Sequence, residues 1–153
     1  MPSHIDILCG DYYNAVRANQ RAIAVDNTYR DREGDLNEYT FYRNHNIHFK
    51  LYAAMLLGQY RTAIEAVGEM ESLVHEDLLR VESPPMADHL EGMLSMRVHA
   101  LIRFGKWQEI LDVPFPENRT LYCNTVAMLH YARAIAAATL GQFELAEVER
   151  AAF

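Results

Sequence analysis

Leu57-Gly58-Gln59-Tyr60 and Leu140-Gly141-Gln142-Phe143 share one form: an apolar residue, a glycine, a spacer and an aromatic ring. Gly10-Asp11-Tyr12 and Gly105-Lys106-Trp107 repeat it more loosely, so the four glycines stand 48, 47 and 36 residues apart. Five residues before the last three glycines stand Ala53, Ala100 and Ala136. Three residues beyond the rings stand Ala15, Ala63 and Ala146, with Ile110 in that place in the third unit. A signature recurring at this period marks stacked helical units and decides the fold before any local motif does.

The flanks have helical periodicity. After Gly58, the residues Tyr60, Ala63, Ile64, Val67, Met70, Val74 and Leu78 follow at steps of three and four, which puts them on one face of a helix. Tyr12, Ala15, Val16, Ala22 and Ile23 do the same after Gly10, with Arg17, Gln20 and Arg21 turned outward. Met93, Met96, Ala100, Leu101 and Phe104 make a stripe before Gly105. Glycine reaches the left-handed conformation that closes a helix. The ring two residues on is expected to fold back between the paired helices, where burial stabilises by about 1.5–3 kcal/mol. A helical hairpin cannot bury its own face, so the hairpins must stack.

Helices are predicted near 12–27, 41–57, 60–81, 88–104, 106–112, 119–140 and 142–153. Asp31-Arg32-Glu33-Gly34-Asp35 is expected as a polar connector. Glu82-Ser83-Pro84-Pro85 and Val113-Pro114-Phe115-Pro116 are stops, because proline cannot continue a helix. The fold class is therefore all-α, a single helical-repeat domain over 1–153 with units near 1–29, 41–81, 88–113 and 119–153.

A chain of 153 residues that is half apolar and 23% charged can bury a core of its own. Its formal charge of −7 argues against nucleic acid as a partner, since such binding needs a basic surface. No apolar run is long enough to span a membrane, and Met1-Pro2-Ser3-His4 opens no signal peptide. A cytoplasmic location follows as the expectation. Both ends read as cut through helices. Cys9 and Cys123 lack a metal-type spacing and are expected as small buried hydrophobes.

The glycine–aromatic turns with their spaced alanines resemble the tetratricopeptide repeat, over nearly the whole chain. Pro2-Ser3-His4-Ile5 and Asn44-His45-Asn46-Ile47-His48-Phe49 look like phrases in bacterial proteins built from such repeats. The resemblance implies antiparallel hairpins stacked as a right-handed α-solenoid, part of a longer array, working as a protein- or peptide-binding scaffold rather than an enzyme. The departures are intervals longer than the family's roughly 34 residues, and a terminal stripe (Phe143, Leu145, Val148, Phe153) that would self-associate if left uncovered.

In that family the first helix of each hairpin lines the concave groove. His4 and His99 stand six residues before their glycines, as does Tyr52; His48, Ser95 and Tyr131 stand ten before, and His45 thirteen. A groove carrying His4, His45, His48, Tyr52, Ser95, His99 and Tyr131 offers neutral donors, acceptors and rings to a polar ligand. His45 and His48, at i and i+3, would need a third ligand such as His4 or His99 to hold a metal. No zinc motif supports that, and no metal, cofactor or catalytic residue is predicted. A histidine-lined small-molecule or enzymatic site and a purely structural assembly module are the competing functions.

Lys50, Arg97 and Arg133 stand eight residues before a glycine, where the family places a buried leucine. This basic row reads either as an anion site or as ion pairs with acids such as Glu65, Glu69 or Glu147, because a buried charge must find a partner.

Overall fold

The computed structural model describes residues 2–83, 85 and 87–153, and it is helical. Its elements are α1 (Pro2–Leu8), α2 (Tyr12–Glu33), α3 (Tyr39–Leu56), α4 (Tyr60–Leu73), α5 (Glu76–Leu79), α6 (Ala87–Leu94), α7 (Met96–Arg103), α8 (Trp107–Asp112), α9 (Cys123–Thr139) and α10 (Phe143–Ala152). Among the described residues there is no β-strand, only an isolated bridge between Glu82 and Pro85. No helix among them is long and apolar enough to cross a membrane.

All four signature glycines close a helix in the left-handed region, with φ of 78° at Gly10, 72° at Gly58, 65° at Gly105 and 76° at Gly141. Each turn is built alike. The glycine N–H reaches the carbonyl three residues back, as in Gly58 to Met55 at 3.3 Å. The next N–H reaches five back: Asp11 to Asp6, Gln59 to Ala54, Lys106 to Leu101 and Gln142 to Ala137, at 2.7–2.9 Å. This paired pattern satisfies carbonyls that the helix end would otherwise leave open. Ala53, Ala100 and Ala136 before the turns, and Ala15, Ala63 and Ile110 after them, are fully buried.

The chain divides into two compact units, Met1–Met86 and Ala87–Phe153. In the first, α1 packs on α2, α2 on α3 and α3 on α4. The α2–α3 contact is polar as well as apolar: buried Asp26 accepts from Tyr39 Oη and Asn46 Nδ2, each at 2.8 Å, and Arg43 reaches Asp35 at 2.6 Å. In the second, α9 packs against α6, α7, α8 and α10. Buried Glu91 of α6 accepts the N–H groups of Asn124 and Thr125 at 3.2 and 2.6 Å, so an acid from another helix caps the start of α9.

Several expectations are corrected. The supposed connector at 31–35 is largely helical: α2 runs on to Glu33 before Gly34, at φ 77°, closes it. Arg30 and Arg32 in its last turn favour that extension, since they oppose the helix dipole. The helix expected over 60–81 ends at Leu73, and the chain bends at Val74 so that Val74, Leu78 and Leu79 all bury. Ser95 interrupts the helix expected over 88–104, its hydroxyl donating to the Gly92 carbonyl at 2.6 Å in place of a continuous ladder. Residues 119–122 form turns ahead of α9. Cys9 and Cys123 are exposed rather than buried, because each falls at a helix end. Tyr60 and Trp107 are half-buried as hairpin rings, but Phe143 is 67% exposed. On α10, Glu149 is buried and Leu145 and Ala146 are half-buried instead.

Candidate functional site

Three residues named from the sequence converge in the first unit. His4 on α1, and His48 and Tyr52 on α3, line one cleft with Ile7, Leu8 and Phe49, enclosing about 300 Å³. The helical spacing explains the assembly. His45, His48, Phe49 and Tyr52 recur at three, one and three residues, so all four project from one side of α3. The short α1 lays His4 against them: its ring centroid is 4.2 Å from Phe49 and 5.2 Å from His45, the latter nearly parallel. His45 in turn lies 4.5 Å from Phe49. His45 is thus a wall behind the cleft, stacked into the ring cluster.

The lining carries two imidazoles and one phenol among apolar side chains. None of the six lining residues carries a carboxylate, an amide or a guanidinium. His4 Nδ1 is buried without a hydrogen-bond partner, which is costly for a polar atom unless something else compensates. The pocket therefore offers apolar walls with a few imidazole and phenol groups, a composition typical of ligand sites of this size.

The remaining groove candidates lie in the second unit and behave differently. Ser95 is 8% exposed, and its hydroxyl is committed to Gly92. His99 is half-buried, and burial lowers its pKa from the ordinary 6.5, keeping the imidazole neutral. Its ring lies 6.4 Å from that of Tyr131. Tyr131 lines a separate cavity of about 330 Å³ between α9 and α10, together with Phe153 and Arg150. Val148 and Phe153 in the terminal stripe are each 66% exposed, like Phe143, and Leu145 is half-buried.

The basic row divides. Lys50, 3% exposed in its side chain, bonds both oxygens of Glu69 on α4 at 3.0 and 3.1 Å. Arg133 bonds buried Glu149 at 2.6 Å and the Leu111 carbonyl at 2.6 Å. Both are ion pairs between the two helices of a hairpin. Glu149 takes the role suggested for Glu147, which faces outward and pairs with Arg150. His130 Nδ1 also lies 2.6 Å from Glu149. Arg97 is half-buried on α7. Among the described residues no three His, Cys, Asp or Glu side chains gather as a metal site, so His45 and His48 gain no third ligand.

Sequence reasoning passed over Phe49, Ile7 and Leu8, and with them a larger feature. Tyr39 and Tyr42 precede His45 on the same side of α3, and Tyr29 of α2 joins them, its ring 4.8 Å from Tyr39. The steps of three, three, four and three from Tyr39 to Tyr52 were a legible helical signal for that row.

Comparison of the chain with protein-family models, curated proteins and solved structures yields no match.

Proposed function

We propose that this chain is a tetratricopeptide-like binding scaffold, its hairpins stacked as a solenoid, that grips a peptide in the cleft between α1 and α3. The observation that carries this reading is the convergence of His4, His48 and Tyr52 on one ring-walled cavity. First helices of successive hairpins supply these residues, which is where a stacked-hairpin protein offers its concave surface. The four like-built glycine turns support the family side of the reading. An extended peptide suits such a site, because apolar side chains fill the cavity while imidazole and phenol groups meet its backbone.

Selection of random dodecapeptides displayed on phage against the whole chain tests this. Enriched peptides should bind, and His48→Ala with Tyr52→Ala should weaken them by about tenfold or more. Arg61→Ala, on the exposed side of α4, should leave binding unchanged, and helical circular dichroism should be the same in all three proteins. Failure to enrich any binding peptide, or equal affinity in the double variant, would reject the cleft as the binding site.

A further inference from the structure

The cleft is one end of a longer feature. Tyr39, Tyr42, His45 and Phe49 form a run of ring contacts along α3, with centroids 5.7 Å apart for Tyr39–Tyr42, 6.1 Å for Tyr42–His45 and 4.5 Å for His45–Phe49, and Tyr52 stands one helical turn further on. At about 1.5 Å per residue the row extends roughly 20 Å. Its tyrosines are not a core: Tyr39 is 36% exposed, Tyr42 46% and Tyr52 42%, while His45 and Phe49 between them are half-buried against His4 of α1. Tyr39 is held in place from below, its hydroxyl donating to the buried Asp26 carboxylate at 2.8 Å. Its ring is thereby fixed in orientation while its outer face meets water.

We propose that this row recognises a proline-rich segment in the polyproline II conformation, laid along α3 with one proline ring seated in the α1–α3 cleft. The inference rests on the reading of that cleft as a peptide site and adds the class of peptide. Three observations favour it over other aromatic-binding ligands. The first is spacing. Rungs at three or four residues along α3 fall about 5 Å apart, so alternate gaps recur near 10 Å, close to the roughly 9 Å turn of polyproline II.

The second is hydrogen bonding. Proline has no N–H, so such a segment brings acceptors only, and it makes no demand for a carboxylate. A sugar would bring many hydroxyls, which need acid and amide partners that no lining residue of the cleft supplies. The third is charge. A chain at −7 repels phosphate backbones, whereas an uncharged proline segment meets a cleft lined by no carboxylate, lysine or arginine. Polyproline II is also preformed, so little conformational entropy is lost on docking.

Titration calorimetry of the whole chain with decaproline, a glycine–serine decapeptide and cellohexaose tests the proposal. Decaproline should bind, and the other two should not. Tyr42→Ala should weaken decaproline by about fivefold or more, Tyr42→Phe should retain it because the ring face makes the contact, and Tyr13→Ala on α2 should leave it unchanged. No binding of decaproline, equal binding of the glycine–serine peptide, preference for cellohexaose, or indifference to Tyr42→Ala each overturns it. A proline-free peptide from the phage selection that depends on His48 and Tyr52 would leave the scaffold reading standing while this inference falls.

Discussion

Lys50 and Glu69 face each other across the α3–α4 hairpin, the lysine side chain 3% exposed and the glutamate side chain 38% exposed, with both carboxylate oxygens within 3.1 Å of Nζ. The asymmetry matters. The lysine nitrogen depends on its partner, whereas the glutamate already has water.

Removing either partner should therefore cost different amounts. Glu69→Gln leaves a buried ammonium without its counter-charge and should lower stability by about 1–3 kcal/mol, discounted for the acid's exposure. Lys50→Met leaves only a carboxylate that water can solvate, and should change stability by less than about 1 kcal/mol. Urea denaturation of the two variants decides the matter. A larger loss from Lys50→Met than from Glu69→Gln would mean that the pair has been misread.

The second unit also carries pH-sensitive groups. Burial by itself would raise the Glu149 carboxyl, but hydrogen bonds from Arg133 and His130 outweigh it and hold the pKa below its ordinary 4.5. The unfolded chain then binds this proton more readily. The stabilisation is complete above about pH 4.5 and is lost as pH falls through the depressed folded value. His99 works in a higher window: burial lowers its pKa from 6.5, so its contribution is full above pH 6.5 and shrinks below it. Urea midpoints measured against pH should lose their slope below pH 6.5 in His99→Gln, and below pH 4.5 in Glu149→Gln. Unchanged slopes in both would remove these groups from the acid response.

Two glycines predict changes of opposite sign. Gly58 has φ 72° and an open space where a side chain would go, so Gly58→Ala should cost about 1–2 kcal/mol from backbone conformation alone. Gly68 lies inside α4 with equal space and no positive φ. Gly68→Ala should raise stability by about 0.5–1 kcal/mol. Thermal unfolding of both separates a required glycine from a tolerated one, and a gain from Gly58→Ala would undo the turn assignment.

The hairpin rings should differ in the same way. Trp107 is half-buried, and a side chain at position 105 would meet its ring at 3.7–3.8 Å. Trp107→Ala should cost about 1.5–3 kcal/mol, below the range for a fully buried tryptophan. Phe143→Ala should cost less than about 1 kcal/mol, and its removal should lower self-association if the end of the chain associates at all. Equal losses at the two positions would restore Phe143 as a wedge.

How much was legible follows from what kind of physics each feature obeys. A glycine turn is local. Its left-handed φ, its two capping bonds and the alanines beside it are set by neighbours within about six residues, so Gly10, Gly58, Gly105 and Gly141 could be read directly. Helical periodicity is nearly as local, and it put His48 and Tyr52 on one face of α3. The breaks at Val74 and Ser95 were not readable, because each trades a backbone bond for burial or for a hydroxyl contact that depends on packing.

The amino-acid sequence by itself determined the all-helical character, the four turns and the side of α3 that carries histidine and tyrosine, since each depends on short-range sterics and the 3.6-residue period. Only the tertiary structure decided that α1 brings His4 onto Phe49, that Lys50 finds Glu69 while Arg133 finds Glu149, and that Phe143 stays in water. Those outcomes turn on which helix lies opposite, and a periodic pattern specifies a face without naming its neighbour.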